Sequence, residues 1–387
     1  MRTDGGLSIA YVHCGWQSGV TSAVAGALLD RGHDVRLVTA TGALEPRDPV
    51  TRRLRPRPDI LLHLALAWSR FGRRGLEHRW NTSYAFDRHG REAGAALGAL
   101  RPAPDVVLQN GALFAPGAPP PFPYALLVDR TRALAEASPG WPRASVPEPL
   151  RYGDAWFARE ATVYRGAAVL ATFSENVARS LVRDYGVDPS RVRVVGAGAN
   201  VFPEKAPRRD DGHTIVFVGF DFARRGGHVL LEAFRLLRRR IPSARLLVAG
   251  APRPDHAPER ATFLGPVETD ELPTLFAQST VFAMPTLQEP SGPAFLDAAA
   301  CGLPCVGTRI EAVPEIVREG ETGLLVPPGD PVALAGALER LLADLARARA
   351  MGARGRARVF AGGLWHHVAA RLERALDDAL ATRGRAA

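Results

Sequence analysis

Two acidic residues and a glycine-proline step mark the segment of this chain where chemistry is most expected. Glu289 and Asp297 are eight positions apart, and a Ser-Gly-Pro step that includes Gly292 lies between them as a typical helix start. The first amides of such a helix, those of Ala294 and Phe295, would point out of its end, where the positive pole of the dipole favours a phosphate. Carboxylates accept paired hydrogen bonds from vicinal hydroxyls, which a sugar ring and a ribose both possess. The segment therefore indicates a site for a phosphorylated sugar or a nucleotide.

The elements around this segment alternate between strand and helix. In the carboxyl-terminal half we predict a strand over Thr214–Gly219, a helix over Gly227–Arg239 and a further helix over Pro293–Cys301. The amino-terminal half begins in the same way, with a strand over Leu7–Val12 and a second over Asp34–Thr39 after a helix. Strands that return through short helices form parallel α/β sheets, so the fold class is α/β. Further strands are predicted over 105–108, 124–128, 168–172, 192–195, 244–249, 262–264, 280–285 and 304–307.

A chain of 387 residues suits two α/β domains. The stretch from Asn200 to Gly212 contains two prolines and adjacent acids and is the best linker. We predict one Rossmann-like domain over residues 1–200, a second over 213–363, and a carboxyl-terminal helix over 364–387 that packs back on the first domain. Two similar sheets in tandem predict a cleft between them.

Composition points to an ordinary globular protein with a basic surface. Hydrophobic residues make up 46% of the chain and charged residues 23%, and the net charge is +9. A basic excess attracts phosphate-bearing partners, and we place nucleotide sugars ahead of nucleic acid and anionic lipid. Three cysteines are too few for a disulfide framework and lack the spacing of a zinc site. Since no export signal is evident and the apolar stretch Ile60–Trp68 is too short to cross a bilayer, we expect a cytoplasmic protein, at most peripheral at the inner face of the membrane.

The segment around Glu289 resembles the retaining glycosyltransferases of family 4. Two glutamates with seven residues between them, then a small-residue helix and a glycine-x-proline strand entry, are typical of that family, and Gly302 with Pro304 continues the match here. The resemblance covers nearly the whole chain and implies the GT-B fold, two facing Rossmann-like domains with parallel sheets and a cleft between them. It also implies that Glu289 contacts the donor sugar and Asp297 the ribose, although the aspartate is one methylene shorter than the usual glutamate.

A second match lies between Gly219 and Gly227. Family members commonly have an arginine just after the first glycine and a lysine before the later one, and both neutralise the leaving diphosphate. Phe220 replaces that arginine here and Arg225 the lysine, so Arg224 would supply the missing charge. With no acidic cluster suited to a metal, these fixed cations would have to do this work, and no metal or cofactor is expected. The alternative is a solvated arginine pair at a helix start, although helix starts disfavour cations.

Weaker matches supply the remaining candidates. Gly15 and Gly19 stand where the family has a glycine-rich loop near the diphosphate, and Asp129 stands where it usually has a histidine against the transferred sugar. Asp129 would bind a sugar hydroxyl or form a salt bridge with a neighbouring arginine. Glu315 lies in a turn that lines the donor cleft in the family, and it is equally well explained as a helix-start carboxylate.

The resemblance implies a hexosyltransferase that moves a sugar from a nucleotide diphosphate sugar to an unidentified sugar, lipid or small-molecule acceptor, with retention and without metal. No nucleic-acid partner is expected. A sugar-nucleotide epimerase or hydrolase of the same fold is the nearer alternative. A nicotinamide-dependent oxidoreductase is disfavoured, because the loop from Gly15 to Gly19 lacks the dinucleotide glycine order and the strand ending at Thr39 is not followed by an acid. Arginine clusters on either side of Ile60–Trp68 would touch a membrane or an anionic acceptor, or form a solvated surface.

Overall fold

The computed structural model describes residues 6–13, 19–40, 44–45, 51, 53–55, 57–117, 120, 122–137, 151–203 and 210–384. These residues form two compact units. One contains the described residues up to Val195 together with those from Ala369 onward, and the other contains Gly196–Val368. The predicted linker is described only in part, since residues 204–209 lie outside the described ranges.

The first unit is built on a six-stranded sheet in the order β2-β1-β3-β4-β5-β6, with every pairing parallel. Its strands are β1 (Ser8–His13), β2 (Asp34–Thr39), β3 (Val106–Asn110), β4 (Tyr124–Val128), β5 (Val169–Thr172) and β6 (Val192–Val194). Its helices are α1 (Val20–Leu29), α2 (Pro58–Phe71), α3 (Ser83–Ala99), α4 (Arg132–Ala137), α5 (Asp154–Gly166) and α6 (Glu175–Tyr185). Short 3-10 turns cover Gly72–Arg74, Arg79–Asn81 and Pro189–Arg191.

The second unit has another six-stranded parallel sheet, in the order β12-β11-β10-β7-β8-β9. Its strands are β7 (Thr214–Val218), β8 (Arg245–Ala249), β9 (Ala261–Gly265), β10 (Val281–Ala283), β11 (Cys305–Thr308) and β12 (Gly323–Val326). Its helices are α7 (Gly227–Arg238), α8 (Leu272–Ala277), α9 (Pro293–Ala300), α10 (Val313–Ile316), α11 (Pro331–Ala343) and α12 (Leu345–Gly362). The last helix, α13 (Trp365–Gly384), begins in this unit, and its residues from Ala369 group with the first.

The central strands of the first sheet could be predicted from the sequence because they are fully buried. Every residue of β3, β4 and β5 is buried, so these strands are apolar runs rather than alternating ones, as expected where helices cover both faces of a parallel sheet. The expected α/β class with two parallel sheets is confirmed. The edge strand β12, paired with β11, was not among the predicted strands.

Strand order locates one crevice in each sheet. In the second unit the chain starts at β7, runs outward through β8 and β9, and then returns to β10 on the other side. In the first unit the same reversal separates β1 from β3. Ligands of open α/β sheets bind outside the carboxyl ends of the strands at such switch points. Among the described helices, none combines the length and apolarity needed to cross a membrane.

Candidate active site

Three loops meet at the switch point of the second unit. They follow the carboxyl ends of β7, β10 and β11, which are neighbours in the sheet. The loop after β7 carries Arg224 and Arg225, the loop after β10 carries Glu289, and the loop after β11 carries Glu311. The structure therefore brings together three of the residues that the sequence predicted to act in one reaction.

Arg225 and Glu289 form an ion pair between the Nη1 of the guanidinium and the Oε2 of the carboxylate. The side chain of Glu289 is 2% exposed and that of Arg225 is 16% exposed. Charges so far removed from water are tolerated because each neutralises the other.

The Glu289 carboxylate is held by its own loop as well. Its Oε1 accepts a hydrogen bond from the amide of Gly292 at 3.0 Å. Its backbone amide donates to the Oε2 of Glu311, and its carbonyl accepts from the amide of Ala312 at 3.2 Å. Glu311 has a φ of 42°, in the left-handed region that side chains other than glycine seldom adopt. Glu289 is therefore placed by contacts with the loop after β11, at some cost in backbone strain.

Arg224 contacts residues of both the β7 loop and the β10 loop. Its guanidinium donates to the carbonyl of Gln288 at 3.0 Å and lies 3.4 Å from the Oδ2 of Asp221. Its backbone carbonyl accepts from the amide of Leu287 at 2.9 Å. The proposed phosphate role of Arg224 stays a prediction, and the contacts present in this structure join the β7 loop to the β10 loop.

Protonation of Arg225 is set mainly by its surroundings. Burial lowers the pKa of the guanidinium to about 9, and the adjacent Arg224 charge lowers it as well, whereas Asp221 raises it. A group with that pKa is still protonated at neutral pH. Arg225 therefore remains a cation that can pair with Glu289 or with an incoming anion.

Two glycines allow these loops to approach each other. Gly226 has a φ of 72°, and a Cβ atom on it would lie 1.9 Å from the carbonyl oxygen of Pro285, in the loop that carries Glu289. Gly292 has a φ of 60°, and a Cβ there would lie 2.5 Å from the Cδ1 of Ile316. A side chain at position 226 would collide with backbone, and the positive φ at both positions strains any residue other than glycine, which explains the glycines that flank the charged pair.

The start of α9 corrects one expectation. The amide of Phe295 does not point out of the helix end, because it donates to the carbonyl of Gly292 at 3.0 Å. The Phe295 ring is fully buried and packs edge-on against Phe282, with ring centroids 5.3 Å apart. Phe295 is thus a core residue, and Ala294 is the residue of the predicted pair whose amide role stays a prediction.

Asp297 is occupied by another loop. Its Oδ1 accepts hydrogen bonds from the amides of Asn200 at 2.6 Å and Val201 at 3.0 Å, and the residue is 7% exposed. Burial raises the pKa of its carboxyl to about 7, although these hydrogen bonds act in the opposite direction. The carboxylate therefore anchors the segment that enters the second unit. The ribose contact stays a prediction, and it would have to use the part of the carboxylate that is not bonded to Asn200 and Val201.

Glu315 lies in α10, a helix of four residues directly after the β11 loop. Its carbonyl accepts from the Nη2 of Arg358 at 3.1 Å, and the side chain is half-buried. The position lies close along the chain to Ala312, which contacts Glu289. Both explanations of Glu315, a donor contact and a helix-start carboxylate, stay predictions.

The first unit contains the remaining candidates. Gly15 falls outside the described residues, whereas Gly19 precedes α1 with a φ of 76°. Asp129 directly follows β4 and is half-buried. Asn110 ends β3, is 1% exposed, and its Nδ2 has no hydrogen-bond partner within the part of the chain that the structure describes. A buried amide donor without a partner at a strand end is a further position where an oxygen of a ligand would accept a hydrogen bond.

Sequence reasoning missed the residues that hold the pair in place. Asp221 had a detectable signal, since it accepts from the amide of Arg224 three positions on, as aspartates that start turns commonly do. Glu311 had no comparable signal, because its contact with Glu289 spans 22 positions. Within the described ranges, no group of three or more metal-ligating side chains is close enough to hold a metal ion.

This chain is similar to known proteins over both of its halves. The family model described as glycosyl transferases group 1 matches residues 212–344. The D-inositol 3-phosphate glycosyltransferase of Salinispora tropica is 34% identical over 231 residues, which are 51% of this chain and 48% of that protein. The chain thus spans about half the length of that relative.

A longer match is to the GDP-mannose-dependent alpha-(1-6)-phosphatidylinositol monomannoside mannosyltransferase of Mycobacterium tuberculosis. It is 30% identical over 345 residues, which are 78% of this chain and 89% of that protein. Among solved structures, sucrose-phosphate synthase from Thermosynechococcus elongatus superposes with a TM-score of 0.69 at 21% identity, covering 97% of this chain and 100% of the other. This likeness confirms the expected GT-B fold.

Proposed function

Because this chain belongs to the group 1 glycosyl transferases, we propose that it transfers a sugar from a nucleoside diphosphate sugar to a hydroxyl group of an acceptor. The observation that carries the proposal is the ion pair of Arg225 with Glu289 at the switch point of the second unit. A cation and a carboxylate side by side suit a ligand that presents a diphosphate next to sugar hydroxyls.

The two charges would exchange partners when the donor binds. The diphosphate would take the guanidinium of Arg225, and Glu289 would then accept hydrogen bonds from hydroxyls of the transferred sugar. As the bond between the anomeric carbon and the phosphate oxygen breaks, negative charge grows on the diphosphate, and a fixed cation stabilises that state more than the bound donor. We propose that Arg225, with Arg224 beside it, provides this stabilisation without a metal ion.

The stereochemical course that we propose is retention. The acceptor oxygen would bond to the anomeric carbon on the face that the diphosphate leaves, and its proton would pass to a departing phosphate oxygen. No separate side-chain base is needed for this balance. Asp129 in the first unit, and Asp297, Ala294 and Glu315 in the second, are proposed to contact the bound substrates.

The relatives suggest which substrates to try first. One is named for GDP-mannose and a phosphatidylinositol mannoside, and another for D-inositol 3-phosphate. We therefore propose GDP-mannose as the first donor to test, and inositol phosphates and their lipids as the first acceptors.

The experiment is a panel of GDP-, UDP-, ADP- and dTDP-sugars, scored for released nucleoside diphosphate with and without these acceptors. Acceptor-dependent release and a new glycoside of the same anomeric configuration, read by NMR, are expected, and activity should survive EDTA. A donor consumed equally fast without any acceptor would favour a hydrolase, and an epimerised sugar nucleotide an epimerase. If EDTA abolished transfer and magnesium restored it, the proposed role of the arginines would be wrong. A melting temperature raised by NAD, and by none of the nucleotide sugars, would favour the oxidoreductase.

A further inference from the structure

The outward side of α2 is apolar along its whole length. This side, here called the α2 apolar face, consists of Leu61, Leu62, Ala65, Leu66 and Trp68, all of which are exposed. The exposed fraction is 60% for Leu61, 48% for Leu62, 39% for Leu66 and 59% for Trp68. Helical spacing places the four aliphatic residues on one side of the helix, with Trp68 along the edge beside Leu61. Ser69 is the polar residue among them.

The opposite side already packs against the first unit. Ile60, His63 and Ala67 are buried there, and the His63 ring lies 5.3 Å from that of Trp80. The α2 apolar face is therefore not an unburied part of the core, since the core-facing stripe is a different set of residues. A surface helix of a soluble domain ordinarily carries polar residues on its outer face, so this arrangement calls for an apolar environment outside the unit.

Positive charge surrounds this face at both ends. Residues 53–77 contain six arginines and two acidic residues, Asp59 and Glu77. Asp59 is bonded to Arg57 and Arg88, and Glu77 is bonded to Arg74. The arginines before the helix are at 53, 55 and 57, and those at and after its end are at 70, 73 and 74. Two further exposed leucines, Leu54 at 67% and Leu76 at 60%, lie among them.

We infer that the α2 apolar face docks on an anionic phospholipid bilayer, with its leucines and Trp68 at the boundary between headgroups and acyl chains and the flanking arginines on the lipid phosphates. A helix with an apolar outer face and cationic ends lies in the interfacial plane of a membrane. Tryptophan is enriched at that depth, and each arginine near an anionic leaflet strengthens the attraction. A second copy of this chain fits less well, because two such faces would bring eight net positive charges together, four from each copy over residues 53–77.

This inference concerns the first unit and is independent of the proposed transfer reaction, so its test needs no donor. The full chain is sedimented with vesicles of phosphatidylcholine alone and of equal parts phosphatidylcholine and phosphatidylglycerol. Binding is expected to the second kind only and to fall as salt is raised. Leu61→Gln with Trp68→Gln should lower the partition coefficient about a hundredfold or more, since each buried side chain of this size contributes about a factor of ten or more.

Val332→Gln is the matched control, because Val332 is 68% exposed on α11 of the second unit and should leave binding unchanged. Arg73→Gln with Arg74→Gln should weaken binding to the anionic vesicles and reduce its salt dependence. Absence of binding to anionic vesicles, or binding that the Leu61 and Trp68 changes leave intact, would overturn the inference. A dimer in sedimentation velocity that these same changes dissociate, without vesicle binding, would assign the face to a second copy instead.

Discussion

Arg225 and Glu289 are paired through a guanidinium nitrogen and a carboxylate oxygen, although 64 positions separate them in the chain. Each lies just beyond the carboxyl end of a strand, and those strands, β7 and β10, are neighbours across the switch point. The pair is almost closed to water and is held by Gly292 and Glu311. A substrate can therefore bind either charge only by replacing the other residue of the pair. Substitutions of the two residues should for this reason act differently on ligand binding and on turnover.

Glu289→Gln should impair transfer far more than nucleotide binding. Loss of one charge-assisted contact to the sugar should remove roughly 2–4 kcal/mol of transition-state stabilisation, which is a fall in turnover of about 30- to 1,000-fold. Because Arg225 loses its counter-charge, the affinity for free nucleoside diphosphate should be unchanged or higher. Turnover at saturating donor and calorimetric binding of the nucleoside diphosphate check the two halves.

Glu321→Gln serves as a control, since that carboxylate belongs to the same unit and is exposed. A melting curve of the Glu289 variant separates lost chemistry from lost folding, because an unpaired buried arginine also destabilises the protein. Normal turnover in a folded Glu289→Gln protein would remove Glu289 from the mechanism.

Arg225→Lys should keep much more activity than Arg225→Ala. Lysine retains the positive charge and can reach either partner with one nitrogen, whereas alanine leaves Glu289 buried and without its cation. We expect turnover to fall by roughly 30- to 1,000-fold in the alanine variant and by far less in the lysine variant. Measured turnover numbers of equal size in the two variants would mean that the charge at this position is not what matters.

The pH dependence of stability should report Asp297. Its pKa is near 3.8 in the unfolded chain and is raised to about 7 in the folded protein, so the folded state holds more protons between these values. The free energy of unfolding should therefore fall as pH rises from about 4 to about 7. Asp297→Asn keeps an oxygen for the amides of Asn200 and Val201 but cannot ionise, and it should flatten this dependence.

Glu160, in the first unit, also has its pKa raised to about 7, mainly by burial, and it contributes a separate dependence of the same sign. The comparison is therefore between the wild type and Asp297→Asn, with Glu160→Gln as the matched control. The hydrogen-exchange protection of residues 199–201, which is the exchange rate corrected for the intrinsic pH dependence of amide exchange, should change with pH in the wild type and in Glu160→Gln, but much less in Asp297→Asn. The same pH response of that segment in all three proteins would show that Asp297 does not titrate in this range.

Gly226→Ala should destabilise the second unit strongly and disturb the charged pair. The added Cβ would lie 1.9 Å from the carbonyl oxygen of Pro285, so the β7 and β10 loops would have to separate. Gly302→Ala is the matched control, because its φ of 79° is similar but no atom lies within 4 Å of the added Cβ. The control should cost about 1–2 kcal/mol from backbone conformation alone. Thermal and urea unfolding of the two variants measure the difference, and equal losses would mean that the loops tolerate separation.

Local patterns were sufficient for the elements whose burial is uniform. The strand over Tyr124–Val128 was predicted with the bounds that the structure has, because a short apolar run between turn residues describes a strand covered on both faces. The edge strand Asp34–Thr39 was also predicted with its bounds, although Val38 is its one buried residue. The α2 helix was not predicted as a helix, since its residues are apolar on nearly all sides and show little of the 3.6-residue period. The motifs around Glu289 and Arg225 were also local, and they were enough to indicate the family and the residues of the pair.

The tertiary structure alone decided the contacts between loops that are distant in the chain. The sequence did not indicate that Glu311 would hold the amide of Glu289, that Asp297 would anchor residues 97 positions earlier, or that the amide of Phe295 would be used within its own turn. Each of these depends on which strand ends become neighbours in the sheet. Hydrogen bonds of this kind act over about 3 Å in space and carry no period or spacing along the chain, so only the folded arrangement determines them.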